Sequence, residues 1–79
     1  MKQPKVTERK LGRHKAVGLA WDTNHIEIDP RQSSKEYLGT LIHEQLHLMF
    51  PEWSEKEIVK AEKKLCNLLW KQNYRKVSM

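Results

Sequence analysis

Cysteine is almost missing from this sequence: Cys66 stands alone among 79 residues, so no disulfide can form within the chain. No apolar run approaches the roughly 20 residues that span a bilayer, which excludes a transmembrane helix. The N-terminus is basic but lacks the apolar core of a secretory signal. A lone thiol without an export signal makes a reducing cytoplasm the expected setting. Repeats, low-complexity stretches and interdomain linkers are also missing. Residues 1–79 therefore read as one small domain, with residues 1–4 and 76–79 expected to fray. A chain this short buries only about 60% of its unfolded surface and commonly needs a staple. With disulfides excluded, a metal ion or a partner chain is left to supply it.

The net charge is +5. Lys2, Lys5, Arg9, Lys10, Arg13 and Lys15 gather at one end, and Lys71, Arg75 and Lys76 at the other. Such clusters attract nucleic acid or acidic peptides. Here aromatics do not interleave with the charges and no nucleic-acid motif is present, so a solvated surface is the favoured reading.

Val6 and Thr7 permit a short charged strand over Lys5–Leu11, expected at a sheet edge, with a turn at Gly12 and Arg13. Ala16–Trp21 is a second apolar run, interrupted by Gly18. Asp22-Thr23-Asn24 is a turn cluster, and His25–Asp29 alternates so that Ile26 and Ile28 share a buried face. Pro30 ends that strand. These segments predict an antiparallel meander of two or three strands.

Ser33 or Ser34 can cap a helix over Lys35–Met49 that stops before Pro51. Leu38, Ile42, Leu46 and Met49 form its apolar stripe, widened by Leu41 and Leu48. Ser54 and Glu57 suit a capping box that opens a second helix, with Ile58, Ala61, Leu65, Leu68 and Leu69 as its buried stripe. The expected class is α+β: a small antiparallel sheet packed on one helix and a second, C-terminal helix. Trp21, Trp53 and Trp70 are expected to fill the core, and Cys66 reads as a small buried hydrophobe.

His43-Glu44-Gln45-Leu46-His47 fits H-E-x-x-H. Residues i and i+4 project from one helix face a turn apart, so two imidazoles can converge on one tetrahedral zinc ion. Glu44 is rotated by about 100° from His43. It can stand beside a metal without binding it and act as the general base, while zinc lowers the pKa of a bound water toward 7. The pattern has only three specified letters. The capped helix, the preceding strand, the apolar frame and the missing disulfides argue for metal binding over two ordinary core-edge histidines.

Catalytic zinc needs a third protein ligand and one position left for water. Glu55 is the first choice. It lies about 60° from Ile58 on the second helix and just beyond the Pro51 corner. The plainer reading of Glu55 is an acid complementing a helix N-terminus. Glu62 is the rival, better suited by its distance from the corner to accept a bond from a histidine Nδ1–H. His25 and His14 are weaker candidates. Tyr37 and Tyr74 could stabilise an oxyanion but read more simply as core-edge aromatics.

The segment from Ile26 to Arg75, with its ID…LIHExxH…P.lsE..V pattern, resembles small phage- and bacterium-encoded members of the zincin-like metallopeptidases. It is similar in plan to a minimal gluzincin over about residues 16–75. The resemblance implies His43 and His47 as zinc ligands, Glu44 as general base and Glu55 as third ligand. It also implies that the strand His25–Asp29 is the edge strand that aligns an extended peptide. A lower subdomain and the longer signature of large gluzincins are absent.

Two functions follow. The first is a zinc-dependent hydrolase, a peptidase acting on a peptide or protein substrate. The alternative is a non-catalytic module in which zinc is structural, held by four protein ligands, and the basic termini contact nucleic acid or an acidic protein.

Overall fold

A computed structural model of the chain describes residues 2–12 and 16–77. His14 and the Arg13 part of the expected turn lie outside the described residues. The class is α+β: a three-stranded sheet and two helices, in the order β1 (Lys5–Glu8), β2 (Gly18–Trp21), β3 (His25–Ile28), α1 (Ser34–Met49), α2 (Glu55–Lys71).

The sheet is mixed, which corrects the expected antiparallel meander. Its order is β1-β3-β2, with β3 in the centre. β2 and β3 form an antiparallel hairpin pairing Gly18 with Ile28 and Trp21 with His25. Asn24, at φ 60°, makes the turn, consistent with the tolerance of asparagine for left-handed backbone. β1 pairs parallel to β3 on its other side, Lys5 opposite His25 and Glu8 opposite Ile28.

β1 ends and β2 begins at the same end of the sheet, on opposite sides of β3, so the two strands are not hairpin neighbours. The described parts of their connection are residues 9–12 and 16–17. Leu11, expected at the end of a strand, sits in the first of these and is fully buried. Asp29 anchors Leu11. Its carboxylate accepts from the Leu11 amide at 2.9 Å, the Arg31 amide at 3.0 Å, and the Arg31 guanidinium at 3.0 and 2.7 Å. The Arg31 side chain above all, with the two backbone N–H groups, holds the Asp29 carboxyl well below the usual range.

One sheet face packs on α1. Ile26 and Ile28 are fully buried, as their alternation requires, and β2 brings Gly18 against the same helix. A Cβ at Gly18 would lie 2.5 Å from Thr40 Cγ2 and 3.1 Å from Glu44 Cγ and Oε2, so only glycine permits this approach. Gly39 does the same for α2: a Cβ there would stand 3.0 Å from Glu62 Oε2 and 3.6 Å from Cys66 Sγ.

α1 opens with a reciprocal capping box. Glu36 N donates to Ser33 Oγ, and Ser33 N donates to Glu36 Oε1. On α2, where that box was expected, only half forms: Glu57 N donates to Ser54 Oγ at 3.2 Å. The inward face of α2 also differs from the expected stripe. Ile58 and Cys66 are buried while Leu65 and Leu68 are exposed. The face is rotated because Glu62, an acid with a partner, occupies its middle. The tryptophans are not core residues either. Trp21 is 44% exposed, Trp53 stacks on Phe50 at 4.1 Å, and Trp70 lies under the Arg75 guanidinium at 3.3 Å. Cys66 is buried. Among the described residues, no helix is long and apolar enough to cross a membrane.

Candidate metal centre

The helical spacing of His43 and His47 brings their Nε2 atoms to 3.2 Å, with ring centroids 4.9 Å apart. The helix ends at Phe50, whose C=O accepts from Trp53 N at 3.0 Å across the Pro51 corner. That tight turn, closed by the Phe50–Trp53 stack, delivers the first residue of α2 to the histidines. Glu55 Oε1 lies 2.7 Å from His43 Nε2, and Glu55 Oε2 lies 3.0 Å from His47 Nε2. The three ligand atoms of His43, His47 and Glu55 lie within 4.8 Å of one another. Tetrahedral zinc with bonds of about 2.0–2.2 Å sets its ligand atoms roughly 3.3–3.6 Å apart. The observed separations of 2.7, 3.0 and 3.2 Å are shorter than that, so these side chains would have to move apart, by less than about 1 Å, to accept the ion. Two imidazole nitrogens and a carboxylate oxygen are also the donor types that zinc takes.

The residues around the cluster divide the work. Glu62 Oε1 is 2.9 Å from His43 Nδ1. With the proton on Nδ1 and donated to Glu62, the His43 Nε2 lone pair faces the cluster. Glu62 thus stands behind His43, and Glu55 in front of it.

Glu44 projects to the sheet side of α1, outside the three-residue cluster. It is 9% exposed and packed against Gly18. Burial pushes its carboxyl above the ordinary range; His43 and His47 offset part of that, while Glu55 and Glu62 add to it. A divalent cation in the cluster would favour the carboxylate form.

A cleft of about 640 Å³ opens here, lined by Gly18, Gln32, Thr40, His43, Glu44 and Glu62. A second, of about 400 Å³, is lined by Ala20, Trp21, His47 and Pro51 among others. Both follow β2, which has a free edge because β3 is interior. The strand implied by resemblance to align a peptide, His25–Asp29, is therefore not an edge strand. The edge strand beside Glu44 is β2.

The structure leaves the other candidates elsewhere. His25 points to the opposite sheet face from Ile26, where its Nε2 is 2.8 Å from Thr7 Oγ1. Tyr37 Oη donates to Glu8 Oε2 at 2.7 Å, and Tyr74 is 64% exposed. Thr40 lies on the helix line of His43 and His47, but its pairing with Gln32 is not legible in the sequence. Thr40 Oγ1 donates to Gln32 Oε1 at 2.7 Å, and Gln32 Nε2 donates to the carbonyls of Asp29 at 2.9 Å and Val17 at 3.4 Å. Together they tie the start of β2 to α1. The only signal available was Gly18, a glycine inside an apolar run.

Known protein families, curated proteins and solved structures contain no match to this chain.

Proposed function

We propose that the chain is a zinc-dependent hydrolase, most simply a peptidase, with His43, His47 and Glu55 as ligands and Glu44 as general base. The observation that supports this reading is the convergence of two imidazole Nε2 atoms and one carboxylate beside a separate, buried glutamate. When bound, zinc would polarise a substrate carbonyl and lower the pKa of a water toward 7. Glu44 takes the proton from the attacking water and returns it to the leaving amine. Glu62 keeps His43 in the tautomer that ligates. The free edge of β2 aligns an extended peptide by strand addition, which places its scissile bond over the cluster.

The arrangement favours an open site over a closed, structural one. A closed site needs a fourth ligand. Among the described residues, Glu62 is engaged by His43 Nδ1 and His25 by Thr7. Glu55 is 64% exposed at its side chain, so the cluster is reachable from solvent.

The test is Glu44→Gln against a peptide library, with zinc content measured on the same sample. Full zinc with lost cleavage is the expected result. Cleavage at the parent rate would remove Glu44 from the mechanism.

A further inference from the structure

Helix α2 has a second apolar row that the fold leaves uncovered. Leu65 is 41% exposed and Leu68 57% exposed, although Ile58, one heptad before Leu65, and Cys66 are buried. Ala61, Leu65 and Leu68 follow the alternating four-and-three spacing of a heptad seam, which Gln72 continues. In that register Lys64 and Lys71 occupy the flanking position before Leu65 and Gln72, Glu57 holds the same position one heptad earlier before Ile58, and Lys60 lies one row further out. All three lysines are exposed, and among the described residues none forms a salt bridge.

The basic residues of the termini are differently placed. Arg9 pairs with Glu27 at 2.6 Å, Lys76 with Glu8 at 2.6 Å, and Arg75 lies over Trp70. On α2, by contrast, positive charge without a salt bridge stands beside exposed leucines. None of Lys60, Lys64, Leu65, Leu68 or Lys71 lines either cleft at the metal cluster, so the feature is independent of the proposed hydrolysis.

We propose that this face docks an acidic amphipathic helix of another protein. Its apolar row would cover Ala61, Leu65 and Leu68, and its carboxylates would meet Lys64 and Lys71. Charge complementarity selects this occupant. A second copy would set one lysine-flanked seam against another on chains of net charge +5. Nucleic acid would satisfy the lysines but leave the leucines against phosphates. An acid-flanked apolar row satisfies both.

The experiment is fluorescence anisotropy of the full chain with a labelled three-heptad peptide, leucine at the core positions and glutamate at the flanking ones. A scrambled peptide of equal composition is the control. Saturable binding of the patterned peptide is expected, at least tenfold tighter than the scrambled one. Lys64→Glu with Lys71→Glu should weaken it roughly tenfold, and a peptide with lysine in place of the flanking glutamates should recover binding to that variant. Leu65→Ser with Leu68→Ser should abolish it, with circular dichroism showing the helices retained. Equal binding of the scrambled peptide overturns the proposal, as does no binding of the patterned peptide. Self-association lost in the leucine double variant would assign the face to a second copy instead. Displacement of the patterned peptide by duplex DNA would assign the face to nucleic acid.

Discussion

Gly18→Ala offers the sharpest test of how β2 is seated against α1. The new methyl would lie 2.5 Å from Thr40 Cγ2 and 3.1 Å from Glu44 Cγ and Oε2. Real carbon atoms do not approach at 2.5 Å, so either β2 lifts from the helix or Thr40 leaves its rotamer. Overpacking of this kind costs about 1–3 kcal/mol. The alanine recovers roughly 0.5–1 kcal/mol by restricting the unfolded chain, which leaves a net loss of up to about 2.5 kcal/mol, centred near 1 kcal/mol. That is large for a chain whose stability is of order 4–12 kcal/mol. Urea unfolding followed by circular dichroism reads the change as a shift in midpoint at constant slope. The compensating variant is Thr40→Ser, which deletes Cγ2 but keeps the hydroxyl that donates to Gln32. The double variant should recover at least about 0.5 kcal/mol relative to the sum of the single ones. Recovery should be partial, because the Glu44 contacts remain. A double variant with additive effects would refute the close approach of β2 to α1.

Three further perturbations probe other parts of the structure. Ile58→Ala empties a fully buried position between the helices and should cost about 2–5 kcal/mol, read as a lowered urea midpoint by circular dichroism; an unchanged midpoint would contradict the burial of Ile58. Asp29 has its folded-state pKa depressed, chiefly by Arg31, so its contribution is present above the unfolded value and is lost as pH falls below about 4. Urea midpoints should therefore drop between pH 4 and pH 2, and Asp29→Asn should flatten that drop; an unchanged acid profile would contradict the anchoring role. Glu62→Gln keeps a hydrogen bond to His43 Nδ1 but removes the charge, and should weaken zinc binding by about tenfold or more in a competition titration with a chelator.

The two kinds of secondary structure were unequally legible. The hairpin of β2 and β3 could be read because Ile26 and Ile28 alternate and Asn24 closes a short turn. The pairing of β1 could not, because nothing in its alternation distinguishes a parallel partner two strands on from an antiparallel neighbour. Leu11 reads as a strand residue, yet it lies beyond β1, buried and held by an aspartate eighteen positions away. The α2 face was misjudged for a related reason. Hydrophobicity alone points to Leu65 and Leu68, but the helix packs by Ile58, Glu62 and Cys66, since a glutamate with a histidine partner can sit in the interface. In the site, helical spacing suffices to bring His43 and His47 together. Which glutamate faces them depends on the turn at Phe50–Trp53, and that geometry exists only in three dimensions.

The central claim is that His43, His47 and Glu55 hold zinc. The measurement that reaches it most directly is metal content by mass spectrometry on the folded chain, purified without chelator, beside His47→Ala prepared in the same way. About one zinc per chain in the parent and almost none in the variant is the expected result. A metal-free parent, or a variant that keeps its zinc, would contradict it.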